Sequence, residues 1–214
     1  MKRKIRLGMV GGGQGAFIGA VHRMAARIDG RFDLVAGALS FDPKRAKDSA
    51  DQLGIHPKRA YEDFNRMAEA ESKNEDGIEA VAIVTPNHLH AAPAIAFSKA
   101  GIDIICDKPM TSTLKEAKDM AEAITNSGVS FTLTHNYSGY PLIREARNLV
   151  QKGELGDIRL VKARYLQDWL TTDLEKQGLK QAEWRTDPAQ SGPTGSVGDI
   201  GVHAFHLARY ITGL

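Results

Sequence analysis

Short runs of apolar and β-branched residues alternate with longer stretches in which apolar positions recur every three or four residues, and this pattern organises the chain up to about residue 134. The short runs predict strands over 5–10, 34–39, 81–84, 102–106 and 129–133, and the longer patterns predict helices over about 16–29, 43–53, 62–73, 88–100 and 113–126. Strand–helix alternation of this kind builds βαβ units, so the prediction is an α/β fold: a Rossmann-type, doubly wound parallel sheet with helices on both faces. The punctuation agrees. Asp42-Pro43 supplies an N-cap with proline at the first helical position, and Thr113-Leu114-Lys115-Glu116 spells a capping box. Gly54, Gly101 and Gly128 each follow a helical run, where glycine closes a C-terminus.

Beyond about residue 135 the pattern changes. A helix over 141–152 ends at Gly153, residues 158–166 alternate as a longer strand, and 167–195 are polar, with Trp169, Trp184, Pro188, Gly192, Pro193 and Gly195. A last helical pattern covers 197–210. One strand and two helices are the start of an α+β domain rather than a finished one. The expected division is therefore 1–134, a nucleotide-binding domain, and 135–214, the beginning of a substrate domain that looks truncated.

Composition narrows the class. Apolar residues make up 42% and charged residues 25% of the 214 positions, the mixture of an ordinary globular protein. A net charge of +2 with both signs interspersed argues against nucleic acid as a partner. No run of 18 apolar residues exists, so no membrane helix is expected, and the basic start is followed by too broken an apolar run for an export signal. Cys106 is the only cysteine, which excludes an internal disulfide and a cysteine-based metal cluster. A cytoplasmic protein is the expectation.

Four segments can carry chemistry. "GMVGGGQGAFIGAVHR" (8–23) joins the first strand to the first helix. Glycines are needed there for a tight turn, for close approach of backbone to a pyrophosphate and for close helix packing. Gly11 and Gly13 fit the first two positions; Ala16 stands at the third with Gly15 and Gly19 on either side, so the loop is about three residues longer than the common form and Gly19 is expected to open the helix. At the tip of the second strand stands Ser40 rather than an acid, while Asp42 is needed as a cap. A small hydroxyl leaves room for a 2′-phosphate that Lys44 or Arg45 could pair with, which leans the cofactor from NAD towards NADP. In "VTPNHLH" (84–90), Thr85, Pro86, Asn87 and His90 end the third strand, with Asn87 expected to cap the next helix, on the sheet edge where ligands bind in such folds. His88 and His90, two residues apart, do not share a helix face, and no metal site is expected.

"IDIICDKPM" (102–110) runs a core strand straight into Asp107-Lys108-Pro109. Proline biases the preceding residue to an extended conformation, so Lys108 is expected to prolong the strand and present its ammonium at the same edge. Last, "GSVGDIGVH" (195–203) places Asp199 and His203 at i,i+4, one face of a helix, where a carboxylate can orient an imidazole as an acid–base pair. His206 lies three residues further on without obvious co-ligands.

Taken together, the glycine loop, "TPNHLH", "DKP", "QKGELGDI", "WRTDP" and "GDIGVH" resemble the glucose–fructose oxidoreductase/inositol dehydrogenase (Gfo/Idh/MocA) family over essentially the whole chain. The resemblance implies NAD(P)-dependent hydride transfer at a secondary hydroxyl or carbonyl of a sugar, cyclitol or similar polyol. It implies Lys108, Asp199 and His203 as catalytic residues, with His203 the proton acceptor, and Arg185 together with Asn136 or Tyr137 as substrate contacts. Asp107 stands where the family has glutamate. Members are typically well over 300 residues and complete an open sheet after the D-x-G-x-H helix, so the chain is expected to be C-terminally incomplete, and the protein a homo-oligomer when full length. A non-catalytic NAD(P)-binding sensor is the alternative from another class; it would need the glycine loop but not Lys108, Asp199 and His203 together. The Tyr-x-x-x-Lys pair of short-chain dehydrogenases, the G-x-x-x-x-G-K-S/T loop and H-E-x-x-H are all absent.

Overall fold

The structure, a computed structural model, describes residues 3–214 and divides into two compact units, one ending at Leu133 and one starting at Thr134. In the first, strands β1 (Ile5–Gly11), β2 (Phe32–Ala38), β3 (Ala80–Val84), β4 (Asp103–Cys106) and β5 (Phe131–Leu133) form one sheet in the order β2-β1-β3-β4-β5. Every pairing is parallel, as the strand–helix alternation predicts. Helices α1 (Phe17–Ile28), α2 (Pro43–Gln52), α3 (Phe64–Lys73), α4 (Ala91–Lys99) and α5 (Leu114–Ser127) supply the crossovers.

Period-two alternation along the strands sorts the core into two clusters. Val10, Val81, Ile83, Ile104 and Cys106 pack with Met67 and Ala68 of α3, Ala94 and Phe97 of α4 and Met120 of α5. Leu7, Met9, Ala80, Ala82 and Val84 pack with Ala50 of α2, supported by Ile18 and Ala26 of α1. All five residues of β3 are buried, so it reads as an unbroken apolar run, as a central parallel strand must. The capping signals operate as expected. The Asp42 carboxylate accepts from the Arg45 amide, Thr113 and Glu116 complete their box, and Gly128 closes α5 in the left-handed conformation at φ 71°.

One buried charge ties the fold together. Glu71 on α3 is 1% exposed and accepts hydrogen bonds from the Arg59 guanidinium, the Tyr61 hydroxyl (2.8 Å) and the Ile78 amide (3.0 Å). Burial, then the carboxylate beside it, pushes the Tyr61 phenol up to about 12. Removing one partner of a buried pair strands the other charge, so Arg59→Leu is expected to cost about 3–5 kcal/mol of unfolding free energy. Urea denaturation checks this; a loss under about 1 kcal/mol would mean that water replaces the guanidinium.

The second unit contains α6 (Pro141–Gln151), α7 (Lys180–Thr186), α8 (Pro188–Ser191) and α9 (Val202–Thr212). Helix α6 packs on α9: Arg147 Nη1 donates to the Tyr210 carbonyl at 2.9 Å and its guanidinium lies 4.6 Å from the Tyr210 ring centre. The strand expected over 158–166 is corrected: the segment is irregular, with Leu160 71% and Leu166 85% exposed. A strand needs a neighbour for its ladder, and no strand among the described residues of this unit offers one. The helix expected from 197 is also different. It begins as a π-helical turn, Val197–Gly201, before α9 takes over.

Candidate functional site

Strand β1 has β2 on one side and β3 on the other, so the chain reverses its direction of travel across the sheet at β1/β3. This is the switch point outside whose strand ends an open α/β sheet binds ligands. The glycine loop leaves β1 here. Gly11 and Gly12 take φ of 77° and 73°, which disfavours residues with a Cβ, and Gly15 takes 76°. A Cβ on Gly13 would lie 2.7 Å from the Leu39 carbonyl and 2.8 Å from Ser49 Oγ, and one on Gly19 would overlap the Gly12 backbone. Gly19 is therefore the helix-packing glycine, but it sits inside the first turn of α1 rather than opening it. Gly12, not singled out in the sequence, is the residue it packs against, and Arg23 Nη1 donates to the Gly12 carbonyl at 2.7 Å.

Helix α1 starts at Ala16 with no side-chain cap and no acid in its first turn. Its first amides are thus left without the usual protein partner, and the helix end favours negative charge. A pyrophosphate fits such a terminus. Ser40 lies just past β2 and accepts from the Asp42 amide at 3.1 Å; Lys44 and Arg45 are exposed in the first turn of α2.

At the end of β3, Thr85 packs against the glycine loop: a Cβ on Gly11 would be 3.0 Å from Thr85 Cγ2. The Thr85 hydroxyl donates to the Leu89 carbonyl at 3.0 Å, Pro86 is exposed and Asn87 is 6% exposed. Two expectations are corrected. Asn87 caps neither the single 3-10 turn it begins (Asn87–Leu89) nor α4, because that turn intervenes. His90 does not face a crevice: it is 0% exposed, with Nδ1 2.7 Å from the Pro109 carbonyl and Nε2 2.9 Å from the Thr85 carbonyl. Burial pushes this imidazole down from its ordinary value, against the opposing pull of those carbonyls and of Asp107.

Lys108 also departs from expectation. The ladder ends with the Asp107 amide donating to the Ile83 carbonyl at 2.9 Å, after which Lys108 lies in a bend with a cis peptide to Pro109. Lysine is thus carried on a turn at the carboxyl end of β4, not on a prolonged strand. Asp107 Oδ1 lies 3.7 Å from Nε2 of His22 on α1, which stands one helical turn beyond Gly19 and carries no motif of its own in the sequence. Cys106 is fully buried and its thiol is pushed up to about 12 by that burial, so it offers no thiolate.

In the second unit, Asp199 is 7% exposed and accepts from Arg185 Nε at 2.7 Å. Arg185 is held further by the Gln181 carbonyl and amide oxygens, both at 2.8 Å, and its guanidinium lies 4.1 Å from the Trp184 ring centre and 5.4 Å from that of Trp169. The pairing of Asp199 with Arg185 crosses 14 positions and was not visible as a pattern. Asp199 lies in the π-helical turn Val197–Gly201, and His203 in the first turn of α9.

His203 is 6% exposed, with the Tyr137 ring edge-on at 4.7 Å and Tyr165 at 6.2 Å. The Tyr137 and Tyr165 hydroxyls share a 2.6 Å hydrogen bond, which together with burial pushes the Tyr137 phenol up to about 12. Tyr137 is therefore a neutral hydroxyl near pH 7. Tyr165, in the irregular segment after α6, joins this cluster. Asn136 is exposed beside it. His206 stacks on His135 with ring centres 3.8 Å apart, and no group of three metal-ligating side chains occurs among the described residues.

A parallel sheet with a glycine loop at its switch point, a helix end open to anions and a lysine on the neighbouring strand end defines a dinucleotide-binding α/β protein of the oxidoreductase kind. The family model described as "Oxidoreductase family, NAD-binding Rossmann fold" matches residues 5–135, and the GFO/IDH/MocA C-terminal domain matches 143–214. The chain belongs to the Gfo/Idh/MocA oxidoreductase family. It is 34% identical to the uncharacterised oxidoreductase YfiI of Bacillus subtilis, covering 99% of this chain and 54% of YfiI. It is 32% identical to levoglucosan dehydrogenase of Pseudarthrobacter phenanthrenivorans, covering 99% of this chain and 52% of that enzyme. An inositol dehydrogenase homologue from Azotobacter vinelandii, solved with NAD+, superposes with a TM-score of 0.95 at 38% identity, covering 100% of this chain and 55% of that one. The chain spans about half the length of the curated relatives it matches.

Proposed function

We propose that the protein containing this chain is an NAD(P)-dependent dehydrogenase acting on a secondary hydroxyl of a sugar, cyclitol or related polyol. The observation that carries the reading is the common edge of the first unit, where the glycine loop, Thr85–Asn87 and the Lys108 turn follow β1, β3 and β4 of one parallel sheet. Levoglucosan dehydrogenase and the inositol dehydrogenase homologue, the latter also solved with NADH and myo-inositol, support the substrate class. A nicotinamide cofactor, when bound, supplies the hydride acceptor.

The chain's own residues supply the rest. Gly11, Gly12, Gly13, Gly15 and Gly19 bring backbone close to the pyrophosphate, while Ser40 borders the ribose. Thr85, Pro86 and Asn87 border the same edge, and His90 acts from beneath it. Lys108 holds the reacting oxygen by a charge-assisted hydrogen bond, favouring its alkoxide. His203 takes the hydroxyl proton, and Tyr137 donates to the polyol as a neutral phenol. Asp199 fixes Arg185, whose remaining face is a donor for further hydroxyls.

The test is to titrate NADH and NADPH into the full-length protein, following nicotinamide fluorescence, and then to screen myo-inositol, levoglucosan and D-xylose for oxidation. NADPH is expected to bind the more tightly, and Ser40→Asp to weaken NADPH by at least about tenfold through repulsion of its 2′-phosphate while sparing NADH. No saturable binding of either nucleotide would overturn the reading. Binding without turnover of any polyol would favour a nucleotide sensor.

A further inference from the structure

The segments that leave β3 and β4 are joined by one ring. The His90 imidazole is wholly buried and meets two main-chain carbonyls, Pro109 on one side and Thr85 on the other. A neutral imidazole has a single N–H and can donate to only one of them. The Pro109 contact is the shorter, 2.7 Å against 2.9 Å, and two facing lone pairs are least tolerable at the shorter distance, so the proton belongs on Nδ1. Pro109 has no N–H of its own to anchor it. On the other side of Lys108, Asp107 is bonded through its amide to Ile83 and faces His22 of α1 at 3.7 Å.

We infer that His90 is a positioning residue: its Nδ1–H donates to the Pro109 carbonyl and, with His22 beside Asp107, holds from both sides the turn that carries Lys108. The inference rests on the assignment of Lys108 to the reacting oxygen. Neither histidine touches substrate in this scheme. Each acts through the backbone, where a displacement of about 1 Å in a reacting group costs on the order of 10²-fold in rate.

The two carboxamides separate the two contacts. Asparagine can place a donor where Nδ1 lies, and glutamine places one where Nε2 lies. His90→Asn and His90→Gln are compared in the full-length protein with Lys108→Ala as reference. The readouts are turnover with a substrate found by the polyol screen, the dissociation constant of the reduced nucleotide, and amide hydrogen exchange over residues 104–113. His90→Gln is expected to lose about 10²-fold in kcat, with nucleotide affinity within about threefold and faster exchange in the turn. His90→Asn should recover most of the turnover and the protection. Equal behaviour of the two variants, in turnover or in exchange, would overturn the inference. If Lys108→Ala turns over normally, the assignment of the lysine fails instead, and the exchange difference still decides whether His90 holds the turn. Should a His90 variant not fold, His22→Ala leaves the buried ring in place and is expected to speed exchange over the same residues; unchanged exchange there would overturn the two-sided hold.

Discussion

Replacing Lys108 by alanine is expected to lower kcat by about 10²–10⁴-fold, or about 3–5 kcal/mol of transition-state stabilisation, while the dissociation constant for reduced nucleotide stays within about threefold. The asymmetry follows from position. In the proposed site the pyrophosphate is served by the glycine loop and the open end of α1, neither of which includes Lys108. In the proposed mechanism the ammonium acts instead on an oxygen whose negative charge develops as the proton leaves, and such a contact is stronger in the transition state than in the ground state. Loss of kcat and kcat/KM together would report that difference. Unchanged turnover would remove the lysine from the mechanism.

His203→Ala should produce the second large effect, a fall of about 10²–10⁴-fold in the oxidation rate together with loss of its rise with pH. His203 is nearly buried against the edge of Tyr137, whose neighbouring hydroxyl is held protonated by Tyr165 and by burial. A phenol pushed up to about 12 stays protonated at moderate pH and is no base there, which is why the proposal gives that role to the imidazole. Added imidazole should restore part of the lost rate by entering the space vacated. A pH profile identical to that of the unaltered protein would assign the base elsewhere.

Five strands and the crossover helices of the first unit were legible because each is specified by nearby residues. Apolar alternation, Asp42-Pro43, the Thr113–Glu116 box and the closing glycines act within a few positions, and the structure uses all of them. Elements that need a distant partner were not legible in this way. Residues 158–166 carry the alternation of a strand yet remain irregular, since pattern alone cannot supply a neighbouring ladder. Val197–Gly201 has a helical pattern but π-helical bonding. His90 was expected in a crevice because its motif lies at a strand end; burial and two carbonyls claim it for the turn instead.

By itself the sequence determined the α/β class, the order of elements and the glycine loop, for these follow from local periodicity and from residues that restrict backbone angles. Only the tertiary structure decided which groups meet: His22 with Asp107, Arg185 with Asp199, Tyr137 with Tyr165, and Gly12 with Gly19. These pairs lie between 7 and 85 positions apart along the chain. Contacts at such separations leave no period to read, because chain folding, not spacing, brings the partners within a few ångströms.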